Sequence, residues 1–129
     1  MKIVIVTPES TALDQEADFI VLPLFDGEAG ISAGHSPMIG RLGPGELRVK
    51  NGSEQLSFYV DGGNVQIEAD VVSVLTGSST PAKDIDVAAA KEALATAQAM
   101  PSDNVALAEL KRKAVSQAQA KIRVAEKAR

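Results

Sequence analysis

The feature that most constrains the fold of this chain is an abrupt change in composition near Pro81. All ten glycines precede this point, and alanine dominates the residues that follow it. Glycine serves positions where the backbone needs a positive φ or a close approach, whereas alanine has the highest helix propensity. The sequence therefore predicts two units, a strand-rich domain of residues 1–82 and a helical domain of residues 83–129.

Charge is divided along the same line. Residues 1–81 carry four basic and eleven acidic side chains, whereas residues 105–129 carry seven basic and two acidic ones. This asymmetry indicates two units with different partners. The basic end could bind nucleic acid, meet an acidic protein or form a solvated helix face. It lacks the aromatic side chains that stack on bases.

The first domain has the pattern of many short strands. Segments Lys2–Thr7 and Phe19–Leu24 are rich in Ile and Val, and each is closed by a proline. Glu46–Lys50 and Glu54–Val60 flank Asn51-Gly52, a hairpin signal that would set Leu47 opposite Leu56. Short strands at close spacing, without helical patterns between them, favour a sandwich or a barrel.

The later strands are predicted from turns and alternation. Asp61–Asn64 is expected to be a turn, and residues 65–70 then alternate apolar and polar side chains as a half-buried strand does. Val71–Leu75 is the last predicted strand, and Thr76–Pro81 has the composition of a linker.

The second domain is predicted to be an antiparallel hairpin of two helices. One helix is expected from Asp84 to Gln98, and the segment 100–104 interrupts it. Ser102 or Asp103 is expected to cap a second helix that runs towards Arg129. One face of that helix is apolar and mostly alanine, with Lys111 as the exception: Ala108, Val115, Ala118, Ile122 and Ala125. Small faces bury little surface, so the hairpin should be marginally stable alone.

Leu22–Pro37 is the segment richest in special residues, and we expect it to be a shaped loop. It holds three glycines, two prolines and the single histidine, His35. Gly30-Ile31-Ser32-Ala33-Gly34 matches the nucleophile-elbow pattern, but no helix signal follows it and the histidine is adjacent. Asp26, Glu28 and His35 are a thin ligand set, so we expect no metal and no cofactor. His35 is expected to hydrogen-bond within its own loop.

Two absences further limit the functional classes. The sequence has no cysteine, which excludes disulfides and thiolate chemistry and fits a reducing compartment. It also lacks an apolar run of about 20 residues, so we expect a soluble protein that reaches a membrane only through a partner.

Several motifs, taken in order, resemble the epsilon subunits of bacterial and chloroplast F-type ATP synthases. They cover nearly the whole chain and lie at residues 22–23, 26–31, 34–37, 43–49, 60–63, 72–75, 84–86 and 121–126. The resemblance implies a β-sandwich of about ten short antiparallel strands, followed by a two-helix hairpin. It also implies a rotor subunit without catalytic activity of its own.

The resemblance further implies the partners. The sandwich would bind the gamma subunit and the ring of c-subunits, without inserting into the membrane. The helices would reach the catalytic beta and alpha subunits and inhibit ATP hydrolysis. The location would be the cytoplasmic face of the inner membrane, or the stromal face of a thylakoid.

Residue roles follow from the same resemblance. Asp26, Glu28 and His35 would face the c-ring, and the loop around them would be shaped by Gly27, Gly30, Gly34 and Pro37. The contacts of the regulatory helix would be Arg112, Lys113, Lys121 and Arg123. In some family members an Ile/Leu-Asp-x-x-Arg-Ala motif binds ATP. Here Ala89 replaces the arginine, which leaves Asp86 and Lys121 as nucleotide-binding candidates.

An alternative function belongs to another class. The chain could be a free-standing binding module whose basic C-terminal helix engages an acidic protein or nucleic acid. An enzyme is disfavoured, because one histidine and no cysteine leave no coherent catalytic constellation.

Overall fold

A computed structural model describes residues 1–128, so Arg129 of the predicted helical domain lies outside the described part. Within it there are eight strands, a 3₁₀ turn at Ala82–Asp84 and two α-helices. The strands are β1 (Lys2–Val6), β2 (Thr11–Glu16), β3 (Phe19–Leu24), β4 (Gly27–Ser32), β5 (Met38–Asn51), β6 (Glu54–Glu68), β7 (Val71–Leu75) and β8 (Ser79–Pro81). The helices are α1 (Val87–Gln98) and α2 (Val105–Lys127).

The strands form one continuous sheet in the order β2-β1-β7-β6-β5-β3-β4, with β8 also paired to β6. All neighbours are antiparallel except β1 and β7, which are parallel. Strands β5 and β6 have 14 and 15 residues and pair along their whole length. Because these two strands serve both halves of the sandwich, the predicted count of about ten short strands becomes eight in the described chain.

The core lies between the two halves of the sandwich and is built from alternating residues. Ile3 and Ile5 of β1 face Val72 and Val74 of β7 in register, and all four are fully buried. The same alternation buries residues on β3, β4, β5 and β6 in a single apolar cluster. Period-two burial is what one inward face of a strand requires, and it confirms the predicted sandwich.

Asp61–Asn64, expected to be a turn, lies inside β6. Gly63 has a φ of +117°, and a Cβ atom placed there would lie 2.0 Å from the carbonyl oxygen of Leu75. The prediction of a turn was wrong, because the glycines at this point permit a close strand approach and a change of strand direction rather than a chain reversal.

Other turns differ from the prediction by their register. The β5–β6 turn is formed by Gly52 and Ser53, so that Leu47 lies opposite Phe58 rather than Leu56. Ala69 and Asp70, expected in a strand, form the two-residue β6–β7 turn with φ values of +52° and +62°. Both central residues of a type I′ turn have positive φ, and this turn matches the twist of the strands it joins.

The segment expected to be a linker contains a short strand. Residues 79–81 pair with residues 58–60 of β6. Thr76 is buried; its hydroxyl accepts from the amide of Asp61 and donates to the carbonyl of Ser78, at 3.2 Å each. These long-range contacts fix a segment that local composition indicates to be flexible.

Both helices begin at a side-chain cap. The Asp86 carboxylate accepts from the amide of Ala89 at 3.1 Å, and the Asn104 side chain accepts from the amide of Leu107 at 2.9 Å. Asn104 therefore caps α2, and the expectation of Ser102 or Asp103 was wrong. Helix α1 starts three residues later than predicted because Asp84 belongs to the 3₁₀ turn.

The packed face of α2 is only partly the predicted one. Ala118 and Ala125 are buried, but Ala108 is exposed, and Ala120 and Val124 are buried although they were not assigned to that face. One side of α2 packs against α1, and another side packs against the sandwich. The sequence pattern alone does not distinguish these two packed sides. Neither described helix is long and apolar enough to cross a membrane.

Candidate functional site

The segment 22–37 is a strand hairpin followed by a short loop, rather than one long loop. Strand β3 ends at Leu24, a two-residue turn follows, and β4 pairs back from Gly27 to Ser32. A Cβ atom at Gly30 would lie 2.6 Å from the ring of Phe19, which fills the space above this glycine. Strand β4 is the last strand at one edge of the sheet, so its outer edge is free for a partner.

Asp26 lies at the β3–β4 turn and is exposed. Gly27 follows it with a φ of +138°, a conformation that L-residues rarely adopt. The neighbouring Phe25 is 71 % exposed and carries the guanidinium of Arg41 at 5.0 Å from its ring centroid. Asp26 thus presents a carboxylate at the very tip of the hairpin.

Glu28 is on β4 and its side chain is 58 % exposed. Its Oε2 atom accepts a hydrogen bond from Nη1 of Arg48 on β5 at 3.2 Å. The pair is solvated, so the carboxylate can exchange this partner for another donor at small cost.

His35 lies in the loop that follows β4 and is exposed, as is Pro37. Its Nδ1 atom is 2.7 Å from the carbonyl oxygen of Ser36, which confirms the predicted hydrogen bond within the loop. Gly34, with a φ of +81°, donates its amide to Oδ1 of Asp70 at 2.7 Å. The loop is therefore tied to the β6–β7 turn.

The structure does not bring Asp26, Glu28 and His35 together. Asp26 precedes β4 and His35 follows it, and a six-residue strand is about 20 Å long. The three side chains are distributed along one sheet edge. Among residues 1–128 no group of three or more His, Asp or Glu side chains could hold a metal ion.

A polar network joins this edge of the sandwich to the end of α2. We use the term polar network for Glu28, Arg48, Glu46, Ser57 and Lys127. Glu46 is its centre: Oε1 accepts from Nη1 of Arg48 at 2.9 Å and from Nζ of Lys127 at 3.0 Å. Oε2 accepts from the Ser57 hydroxyl at 2.6 Å.

The electrostatics of the network favour its ionised form. Burial alone would raise the pKa of Glu46, but the hydrogen bonds from Ser57, Arg48 and Lys127 outweigh it and hold this pKa below 4.5. The pKa of Arg48 is raised, first by its hydrogen bond to Glu46 and also by the charge of Glu28. Since Glu46 and Lys127 are 81 residues apart, their ion pair connects the two domains predicted from composition.

A small apolar cluster forms the second contact between α2 and the sandwich. The Tyr59 cluster consists of Tyr59, Ala82, Ile85, Ala120, Val124 and Ala125. The Tyr59 hydroxyl donates to Oδ1 of Asp61 at 2.8 Å. Burial, reinforced by the Asp61 charge and hydrogen bond, raises the pKa of Tyr59 strongly. Half of the six residues are alanines, so the cluster buries little apolar area for its size.

The four predicted regulatory cations occupy different environments. Arg112 is exposed and pairs with Glu109 one helical turn earlier at 2.8 Å, and Lys113 is exposed. Nζ of Lys121 lies 5.7 Å from the ring centroid of Tyr59. Arg123 is exposed and lines the same groove as the polar network. Three of the four cations are thus free to approach an acidic partner without disturbing the Tyr59 cluster.

Both nucleotide-binding candidates have partners within the chain. Asp86 caps α1, and Lys121 lies over the Tyr59 ring. Ala89 supplies only a backbone amide to the Asp86 carboxylate. ATP binding at Asp86 and Lys121 stays a prediction.

Sequence reasoning did not identify Glu46, Tyr59 and Lys127 as site residues. No local signal could have done so, because each is an ordinary residue of its element and only the packing of α2 onto β5 and β6 joins them. In the structure the three consecutive residues 58–60 are all buried, as expected of a strand that is covered on both faces.

Comparisons with known proteins agree on one family. Residues 1–82 match the family described as the beta-sandwich domain of the ATP synthase delta/epsilon chain. An ATP synthase epsilon chain of Rhodopirellula baltica is 48 % identical over 123 residues, covering 95 % of this chain and 96 % of that one. An epsilon chain of Dehalococcoides mccartyi is 36 % identical over 132 residues, covering 100 % and 94 %.

Solved structures give the same result. A chain in the mitochondrial ATP synthase of Euglena gracilis, solved with F1 and the c-ring, superposes with a TM-score of 0.81 at 25 % identity, covering 92 % of this chain and 76 % of that one. A chain of the Tetrahymena thermophila mitochondrial central stalk and c-ring has a TM-score of 0.77 at 16 % identity, covering 97 % and 96 %, and supports the fold alone. By its sandwich domain and its full-length relatives, the chain belongs to the ATP synthase epsilon chain family.

Proposed function

We propose that this chain is a non-catalytic rotor subunit of an F-type ATP synthase, which links the gamma subunit to the c-ring and restrains ATP hydrolysis through its helical hairpin. The observation that carries the proposal is the 48 % identity to an epsilon chain over nearly the whole length of both proteins. The relatives described above are all ATP synthase chains, so the free-standing binding module receives no support from them.

We assign gamma binding to the outer face of the half of the sandwich that is formed by β1, β7, β6 and the first residues of β5. Leu75 of β7 is 55 % exposed there, with the half-buried Val4 and Val71 on the same face, and Ile39 at the start of β5 is 82 % exposed. The strand register sets these side chains on the face opposite the core. An apolar patch on a sheet face is typical of a protein interface.

We assign ring contact to the free edge of β4, from Asp26 through Glu28 to His35. Because these residues follow the whole strand, the partner must offer an extended surface rather than one short loop. Cationic or amide groups on polar loops of the ring would form charge-assisted hydrogen bonds with Glu28.

The regulatory contribution is assigned to α1 and α2. In the described state the hairpin is docked on the sandwich by the Tyr59 cluster and by Lys127. Both contacts are small, so the free energy of release is expected to be low. Once released, Arg112, Lys113, Lys121 and Arg123 would meet acidic segments of the catalytic beta and alpha subunits.

The proposed location follows from the complex. Subunits of ATP synthase belong to a membrane-bound assembly, and this chain would be peripheral, at the cytoplasmic face of a bacterial inner membrane or the stromal face of a thylakoid. No direct insertion, cofactor or nucleic acid is part of the proposal.

Binding to a purified gamma subunit tests the rotor assignment. The full chain is expected to co-elute with gamma at micromolar concentration, and Ile39→Asp should reduce this association at least tenfold. Val105→Asp is the matched control, because Val105 is also 82 % exposed but lies at the start of α2. Failure of the unmodified chain to bind gamma would overturn the assignment.

Hydrolysis by the reconstituted complex tests the regulatory role. Complexes with a chain ending at Pro81 should hydrolyse ATP faster than complexes with the full chain. The double variant Arg112→Gln/Lys113→Gln should show part of this increase, and Lys91→Gln on the exposed face of α1 should show none. Equal rates for the full and shortened chains would remove the inhibitory role.

A further inference from the structure

We propose that Glu28 controls how firmly α2 is docked: neutralising this carboxylate, or engaging it with an external cationic or amide donor, weakens the Lys127–Glu46 ion pair and favours release of the hairpin. That the external donor belongs to the c-ring rests on the proposed function. The coupling itself is a property of the isolated chain.

The geometry of Arg48 carries this inference. A single nitrogen, Nη1, lies 3.2 Å from Oε2 of Glu28 and 2.9 Å from Oε1 of Glu46. Nζ of Lys127 lies 3.0 Å from that same Oε1 atom. Two carboxylates and two cations therefore share one chain of contacts, from the edge of the sheet to the last turn of α2.

Charge balance gives the direction of the effect. When Glu28 is ionised and in place, the two cations are matched by two carboxylates. When the Glu28 charge is lost or engaged elsewhere, Glu46 must balance both Arg48 and Lys127. Arg123, which lines the same groove, adds a third positive charge. The docking of Lys127 then becomes less favourable because Arg48 is no longer neutralised.

The exposure of the side chains decides which end of the polar network a partner can reach. The Glu28 side chain is accessible on an edge strand, whereas the Glu46 side chain is 13 % exposed and is screened less by solvent. A partner therefore reaches Glu28 first, and the effect passes through Arg48 and Glu46 to Lys127. Thermodynamic linkage requires the reverse as well, so a released hairpin should strengthen binding of a donor to Glu28.

Thiol protection measures the docking in the full-length chain. The sequence has no cysteine, so Ala82→Cys introduces a single thiol in the buried Tyr59 cluster. Its alkylation rate is proportional to the fraction of time that the cluster is open, even when this fraction is small. We expect Glu28→Gln and Lys127→Gln each to raise the rate about two- to fivefold, the range of a weak ion pair.

Two comparisons make the test specific. Asp26→Asn removes an exposed carboxylate two residues from Glu28 and should leave the rate unchanged, because Asp26 is not in the polar network. The double variant Glu28→Gln/Lys127→Gln should be no faster than Lys127→Gln, since Glu28 acts through Lys127. Sodium chloride should accelerate alkylation in the parent and have less effect in this double variant.

Several results would overturn the proposal. They are an unchanged rate in Lys127→Gln, a Glu28→Gln rate equal to that of Asp26→Asn, or fully multiplicative effects in the double variant. Circular dichroism of each variant verifies that the sandwich is folded, and a variant that fails this criterion is replaced by Glu28→Ala or Lys127→Met. Failure to bind gamma would not alter these rates, so the coupling and the proposed function fail separately.

Discussion

The sandwich and the helical hairpin differ in how they are held. The sandwich buries large β-branched and leucine side chains completely, among them Ile3, Ile20 and Leu47. The helices bury alanines and one valine, and their contact with the sandwich depends on one tyrosine and one lysine. The difference indicates a rigid sandwich that carries a detachable helical hairpin, because the free energy of burial scales with the apolar area buried.

The largest expected effect is a loss of stability in the sandwich. Leu47→Ala removes a fully buried side chain and should lower the free energy of unfolding of the sandwich by about 2–5 kcal/mol. Val124→Ala, in the Tyr59 cluster, should loosen the hairpin and leave the sandwich transition within error. Denaturant unfolding followed by circular dichroism measures both. Similar losses in both variants would show that the two domains unfold as one unit.

The ionisation of Tyr59 reports directly on the docking of the helical hairpin, because Tyr59 is the only tyrosine in the sequence and there is no tryptophan. Burial raises its pKa above the ordinary value of 10.0, so its contribution to docking is complete below this value and is lost as pH rises through the raised pKa. Val124→Asp should bring the tyrosinate absorbance transition back towards its ordinary range.

The matched control for this titration is Ala108→Asp, which places the same charge on the exposed face of α2. It should leave the Tyr59 transition where it is in the unmodified chain. An ordinary Tyr59 transition in the unmodified chain would contradict the docked arrangement.

A smaller effect distinguishes the two roles considered for Asp86. Asp86→Ala removes the α1 cap and should destabilise the hairpin by about 0.5–2 kcal/mol. Asp86→Asn retains a capping oxygen and should be nearly neutral. Thermal melting with and without added ATP separates the roles: an ATP-dependent stabilisation that both variants lose would indicate a nucleotide site.

The smallest expected effect is the loss of docking in acid. The pKa of Glu46 is lowered, so its contribution is present above pH 4.5 and disappears as pH falls through the lowered pKa. Glu28, Arg48, Ser57 and Lys127 are the groups that face it. The near-ultraviolet circular dichroism of Tyr59 should report release below pH 4.5. The transition should be weaker in Glu46→Gln, and an identical one there would assign it to another carboxylate.

Local patterns predicted the parts of the fold that depend on local physics. Ile- and Val-rich composition located the strands at Lys2–Val6 and Phe19–Leu24, the strand Val71–Leu75 was predicted with its observed bounds, and the lack of glycine beyond Pro81 located the helices. The same patterns were wrong where distant strands decide the conformation. Gly62-Gly63 indicates a turn by composition, yet Gly63 pairs with Leu42 of β5, and the next residue, Asn64, pairs with Leu75 of β7, which keeps the segment in a strand.

The candidate site shows the same limit. Glu28 and four cations of α2 other than Lys127 were predicted as site residues from the chain, but neither the Glu46 carboxylate nor Lys127, which pairs with it, was predicted. Glu46 lies in a strand next to Leu47 and has no distinctive neighbours in sequence. Its importance comes from the 13 % exposure of its side chain and from a lysine at the far end of the chain.

By itself, then, the sequence determined the sandwich with its hairpin and the motifs that resemble the epsilon family, and it predicted a division into two domains. These depend on residue type and spacing, which are local. The tertiary structure alone decided that the Leu22–Pro37 segment forms an edge strand, that α2 is docked on β5 and β6, and that Glu28 reaches Lys127 through Arg48 and Glu46. Such contacts depend on how two elements distant in sequence pack, and no periodicity within either element encodes the partner's position.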